Sequence, residues 1–250
     1  MFQIKIKKTL PLAFFLFSDS NHFKCFIFIK KNIFMNSYFK LGFLLLFISC
    51  KAQVAIPNKQ IKNIVIVNDT TFVNLKDYSN DFAYDMKYAT DDNFLKAKVY
   101  DCAECFLRMK TVNAIIAANK LFLEKGYRIK FFDCYRPLDI QKKMWKIISN
   151  PKYVADPSKG SIHNRGGAVD ITLVDRKGKE LDMGTPFDFF GEEASHGYSN
   201  FSKKVVNNRK LLKRVMIKAN FNSFDSEWWH YNLKSALNDK VSNVKWNCAE

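Results

Sequence analysis

The chain has 250 residues, 48% of them hydrophobic, with a formal charge of +16 and a sequence pI near 9.5. So basic a chain admits nucleic acid as a partner, but no helix-turn-helix, finger or base-stacking signature accompanies the charge, and no apolar run reaches the ~20 residues of a membrane-spanning helix. Attraction to an anionic envelope surface accounts for the excess more economically.

Residues 1–52 read as a leader. Residues 1–34 are rich in Phe and Lys and suit no structural role, and Met35 is the better start. From there Lys40 precedes the apolar run Leu41–Ile48 and then Ser49-Cys50, the layout of a bacterial secretion signal. Cys50, behind a small residue, stands where a lipoprotein carries its lipid, although Phe47 occupies the place usually held by leucine. Cleavage after Ala52 is the competing processing. The expected location is the periplasm or cell envelope, with a lipidated Cys50 as the membrane attachment. Residues 53–63 form a polar linker, and residues 64–250 are left for a single domain. Removing residues 1–50, which hold seven of the 40 basic and one of the 24 acidic residues, leaves 33 against 23, a charge of +10. The remaining stretch of about 200 residues is enough for one substantial core.

Along that domain, Ile64–Val67 is β-prone. Residues 104–125 lack Gly and Pro and run up to Gly126, which predicts a helix with a glycine stop. Tyr127–Asp133 alternates as a strand and delivers Arg136 on the turn behind it. Asp139–Ser149 reads as a second helix, stopped before Pro151. A Gly-bearing, hairpin-like segment leads into a strand at Val169–Val174, Lys203–Ala219 reads as a third helix, and Glu227–Leu233 as the last sheet element. Helices and strands mix without a βαβ rhythm, so the expected class is α+β, one domain with a mainly antiparallel sheet flanked by helices. Of six cysteines, Cys25 and Cys50 lie in the leader. The other four, Cys102, Cys105, Cys134 and Cys248, suit structural disulfides in an oxidising compartment, with three pairings open. Cys102-Ala103-Glu104-Cys105 lacks the second C-x-x-C of a zinc site and the βαβ surroundings of a redox motif.

The chemistry gathers in two segments, Ser161-Ile162-His163-Asn164-Arg165-Gly166-Gly167-Ala168-Val169-Asp170 and Ser226-Glu227-Trp228-Trp229-His230-Tyr231. Two histidines and an aspartate are what a catalytic zinc needs, three protein ligands with one position left open. Glu227 beside them is a carboxylate able to take a proton from water. Residues three or seven apart on a regular strand face opposite sides, so Glu227 with His230, and His163 with Asp170, require the backbone to bend. Gly166-Gly167 supplies one bend, and a helical turn or a distorted strand at Glu227 is needed for the other. His196 has no partner in sequence and reads as a structural residue rather than a ligand.

These segments, with Tyr84-Asp85-Met86-Lys87-Tyr88-Ala89-Thr90-Asp91-Asp92-Asn93-Phe94, Asp133-Cys134-Tyr135-Arg136-Pro137 and Met183-Gly184-Thr185-Pro186-Phe187-Asp188, resemble in order the D-alanyl-D-alanine dipeptidase family, whose best-known members confer vancomycin resistance. The resemblance implies one zinc per chain on His163, Asp170 and His230, with Glu227 as general base and Arg136 stabilising the transition state. It implies Tyr88 and Asp188 at the substrate amino group and Ser161 at its carboxylate, on a zinc D-Ala-D-Ala peptidase-like catalytic domain. The expected activity is hydrolysis of D-alanyl-D-alanine in the envelope, releasing D-alanine. The alternatives are a D,D-carboxypeptidase trimming peptidoglycan stem peptides, or a zinc-stabilised binding module without catalysis. The presence of both Glu227 and Arg136 argues against the last, since a structural zinc needs neither.

Overall fold

The computed structural model describes residues 67–248. The leader, the linker and residues 64–66 of the expected first strand lie outside them, and Val67 is not in a strand. In chain order the strands are β1 (Phe72–Asn74), β2 (Ala83–Tyr84), β3 (Phe106–Arg108), β4 (Tyr127–Asp133), β5 (Ala168–Asp175), β6 (Phe221–Phe224) and β7 (Glu227–Leu233). The helices are α1 (Met109–Leu123), α2 (Leu138–Ile147) and α3 (Lys203–Lys218).

β5 is buried from Ala168 to Val174, a run that can only be accommodated at the centre of a sheet covered on both faces. It holds that place in the order β2-β4-β5-β7-β6, where β2 runs parallel to β4 and every other pairing is antiparallel. β1 and β3 form a separate antiparallel ribbon. The fold is α+β. Val112, Ile115 and Phe122 of α1 and Leu212, Val215 and Met216 of α3 lie in one core with Phe131, Ile171, Leu173, Phe221 and Trp229 of the sheet. A second cluster, including Tyr88, Tyr100 and Met144, backs one wall of the cavity described below.

The helix expected over 104–125 starts five residues later. Cys105 is bonded to Cys134, and Phe106–Arg108 pair with Phe72–Asn74, so tertiary partners claim the first residues of a stretch with no local helix breaker. Its end is where expected: Gly126, at φ +83°, donates its N–H to the Leu123 carbonyl. α2 and α3 fall within two residues of their expected limits, and the Ser202 hydroxyl caps α3 by accepting the Val205 N–H at 3.3 Å. The segment expected to be hairpin-like is instead a single 3₁₀ turn, His163–Arg165, running directly into β5. No helix among the described residues is long and apolar enough to cross a membrane.

Of the three possible disulfide pairings the chain forms Cys102–Cys248 and Cys105–Cys134. The first ties down the C-terminal segment, where Trp246 stacks on Phe106 with ring centroids 4.9 Å apart. The second joins the start of β3 to the end of β4, closing a loop of 29 residues, and constrains the unfolded chain by about 3–4 kcal/mol.

Candidate active site

His163, Asp170 and His230 come from three different elements. His163 sits in the 3₁₀ turn, which Gly166 closes at φ +70°. A side chain at Gly166 would meet the Phe72 ring at 2.4 Å and one at Gly167 would meet Ala236 at 2.3 Å, so both glycines let the turn press against its neighbours. Asp170 and His230 are direct partners across β5 and β7, and Asp133 of β4 lies opposite Asp170 on the other side. A row of three polar residues thus crosses three adjacent strands.

The ligand atoms converge. His163 Nε2 lies 3.2 Å from His230 Nδ1 and 3.3 Å from Asp170 Oδ2, and His230 Nδ1 lies 2.9 Å from Asp170 Oδ1. Zinc bonds of about 2.0–2.1 Å in a tetrahedron place ligand atoms roughly 3.3 Å apart, so the triad is spaced as the three protein corners of such a site. The remaining ring nitrogens are engaged: His163 Nδ1 donates to the Cys134 carbonyl at 2.7 Å and His230 Nε2 to the Asn232 side-chain oxygen at 2.9 Å. Those donations fix the tautomers and leave both inward nitrogens as bare lone pairs beside a carboxylate, an arrangement that calls for a cation. Burial opposes ionisation of Asp170, but the charge and hydrogen bonds of His163 and His230, when those rings rather than a metal carry the positive charge, outweigh it and hold the carboxyl well below the usual range.

Glu227 reaches the same cavity through a distortion of β7. The register steps from Ser223 opposite Tyr231 to Phe224 opposite Glu227, which takes Trp228, Trp229 and His230 out of regular pairing with β6. The bend needed for residues three apart is therefore a distorted strand, and Glu227 Oε2 lies 4.0 Å from His230 Nδ1. Burial raises the Glu227 carboxyl above its ordinary value against the lowering effect of His230, and the Asp170 charge adds to the rise.

Arg136, nearly buried, is clamped. Its Nε and Nη2 donate to Asp133 Oδ2 at 3.1 and 2.6 Å, and its Nη1 donates to Gln141 Oε1 at 2.9 Å. Asp133 also accepts from the Tyr100 hydroxyl at 2.8 Å and from the Cys134 N–H at 2.9 Å. Three of the five guanidinium N–H groups are thereby used, and the other two have no partner among the described residues. The guanidinium lies 5.3 Å from the centre of the Tyr88 ring, and the Tyr88 hydroxyl is 3.1 Å from both Asp188 oxygens. Asp188 adopts φ +59°, and burial, reinforced by the Asp170 charge, raises its carboxyl well above the ordinary value. Ser161 exchanges hydrogen bonds with Asn164, whose side-chain amide also donates to the Arg136 carbonyl at 2.7 Å.

All eight residues singled out in the sequence, Tyr88, Arg136, Ser161, His163, Asp170, Asp188, Glu227 and His230, line one cavity of about 470 Å³. His196 does not line it; its ring lies 6.1 Å from that of Tyr231, and burial pushes its pKa down to about 4. Sequence reasoning passed over Asp133, Gln141, Tyr100 and Asn164, which position the site. Asp133, an acid three residues before Arg136, carried a usable signal as its ion-pair partner; Gln141 and Tyr100 carried none.

The D-Ala-D-Ala dipeptidase family profile matches residues 68–247. The chain is 32% identical over 183 residues to the D-alanyl-D-alanine dipeptidase of Escherichia coli (strain K12), covering 73% of this chain and 95% of that protein. It is 31% identical over 186 residues to the D-alanyl-D-alanine dipeptidase of Enterococcus faecalis (strain ATCC 700802 / V583), covering 65% and 91%. With that of Enterococcus faecium it shares 29% identity over 175 residues, 60% and 85% of the two chains. The profile match across most of the domain, together with the near-complete coverage of the E. coli protein, shows that the chain belongs to the D-Ala-D-Ala dipeptidase family of metallopeptidases.

Proposed function

We propose that this chain hydrolyses D-alanyl-D-alanine to D-alanine with one zinc ion held by His163, Asp170 and His230. The observation that carries the reading is the meeting of a zinc-spaced His, Asp, His triad, a carboxylate and a clamped arginine in one cavity. Zinc bound there would supply Lewis acidity, lowering the pKa of water and polarising the peptide carbonyl. Glu227 takes the proton from the attacking water and passes it to the leaving amine, a task its raised pKa suits. The two remaining N–H groups of Arg136 meet the oxyanion that forms at the carbonyl, and the Asp133 and Gln141 bonds hold the guanidinium in place for it.

A free dipeptide presents an ammonium and a carboxylate only two residues apart. Asp188, with Tyr88 bonded to it, answers the first, and Ser161 the second. A carboxypeptidase acting on stem peptides has to leave the amino end open, so the two activities separate at Asp188. N-acetylation of D-alanyl-D-alanine removes the ammonium, and a hydrogen bond to a charged partner contributes roughly 1.5–3 kcal/mol, so kcat/KM is expected to fall at least about tenfold. Asp188→Asn is expected to weaken cleavage of the free dipeptide and narrow its advantage over the acetylated one. Equal rates on dipeptide, acetylated dipeptide and pentapeptide in the unaltered enzyme would transfer the assignment to the carboxypeptidase.

The envelope is the proposed place of action. The signal layout from Met35 to Ala52 supports it, and so do two disulfides, which persist in oxidising compartments. Expression from Met35 is expected to give a processed, membrane-associated product that turns soluble in Cys50→Ala, where cleavage at Ala52 remains. Fractionation that finds only unprocessed cytosolic protein contradicts this.

A further inference from the structure

α3 carries seven basic side chains and no acidic one. Arg209 faces inward, donating to the carbonyls of Met183, Glu193 and Ser195, and Val205, Leu212, Val215 and Met216 are buried in the core. Lys203, Lys204, Lys210, Arg214 and Lys218 are exposed. At about 100° of rotation per residue, Lys203, Lys210, Arg214 and Lys218 fall within an arc of roughly 80°, so they form one stripe along the solvent face. None of these five cations makes an ion pair within 4.0 Å among the described residues, whereas Lys76, Lys87, Lys110 and Lys130 each hold a carboxylate.

The arrangement works against the helix that bears it. Lys210 with Arg214, and Arg214 with Lys218, are like charges one turn apart, which destabilises a helix. Lys203 and Lys204 occupy the first turn, where the helix dipole disfavours cations and no acid offsets them. Among the described residues no carboxylate supplies the counter-charge. A stripe about 24 Å long without an aromatic side chain has no means of stacking the bases of a single strand. Such a row of unpaired cations is complementary in charge to the phosphates of an anionic lipid surface.

We propose that the solvent face of α3 is a docking surface for an anionic phospholipid bilayer. Val205, Leu212, Val215 and Met216 of α3 are committed to the protein interior and Ile217 is left 44% exposed beside the stripe, so the helix adsorbs chiefly by charge. Such adsorption acts within a Debye length of about 8 Å at physiological ionic strength and is reversed by salt. It depends on the envelope location proposed above only for where the bilayer is met, and not at all on the dipeptidase chemistry.

The test is co-sedimentation of the full chain with vesicles of phosphatidylcholine alone and of phosphatidylcholine mixed with phosphatidylglycerol. A lipid anchor or leader holds both kinds alike, so the preference for the anionic vesicles is the quantity read. That preference is expected at low salt and to vanish at molar salt. The combined change Lys210→Gln, Arg214→Gln and Lys218→Gln is expected to reduce it about 100-fold, while kcat/KM on free D-alanyl-D-alanine stays unchanged. Unaltered kinetics also show that the variant is folded. A control that removes the same charge at exposed Lys98, Lys125 and Lys177 is expected to retain most of the preference. Equal loss in the control, or no preference at all, overturns the proposal. So does tight binding of a duplex oligonucleotide that the α3 variant loses while vesicle binding is unaffected.

Discussion

Glu227→Ala is expected to keep its zinc and its fold and to lose about 10²- to 10⁴-fold in kcat, the usual contribution of a positioned general base. The residue lies 4.0 Å from His230 Nδ1 but outside the triad of ligand atoms, so its removal leaves the metal donors intact. It is about a quarter exposed and makes no close hydrogen bond among the described residues, which leaves it free to exchange a proton with water. The loss should appear in kcat more than in KM, because the proton is moved in the transition state and not on binding. Metal content and thermal unfolding of the variant, measured beside its kinetics, separate this outcome from misfolding. A near-normal kcat would assign the base elsewhere.

His163→Ala and His230→Ala are expected to lose stoichiometric zinc. Each substitution leaves two protein ligands where a catalytic zinc uses three, and exposes the Asp170 carboxylate to a cavity without its imidazole neighbour. Both histidines are held by bonds from their outer nitrogens, to Cys134 and to Asn232, and changes to such outer partners commonly cost 10- to 100-fold in metal affinity. Losing a ligand itself is expected to cost more. Metal analysis after dialysis decides the matter, and full retention of zinc in both variants would remove the site.

Much of the fold could be read because its long elements carry their own periodicity. β4 alternates through Ile129 and Phe131, α3 has a capping serine and a buried stripe, and β7 spans the residues expected of it. What escaped was short or decided at a distance. β1, β2 and β6 have two to four residues each, too few to show alternation, and exist because a neighbouring strand pairs with them. The first residues of the predicted α1 were lost to the Cys105–Cys134 disulfide and to β1, neither of which leaves a local mark. At the site, the motif residues were visible one by one. Their convergence depends on the irregular pairing of β7 and on the cross-strand partnership of Asp170 with His230, both properties of the folded sheet. The clamp on Arg136 divides the same way: Asp133 is near it in sequence, whereas Gln141 reaches it only because α2 turns back over the strand end.

The most direct measurement is release of D-alanine from D-alanyl-D-alanine by the purified protein, before and after treatment with a chelator and again after zinc is restored. The account predicts release that chelation abolishes and zinc recovers, with the acetylated dipeptide cleaved at least about tenfold less efficiently. Hydrolysis indifferent to the chelator, or no release from the dipeptide by zinc-loaded protein, would contradict it.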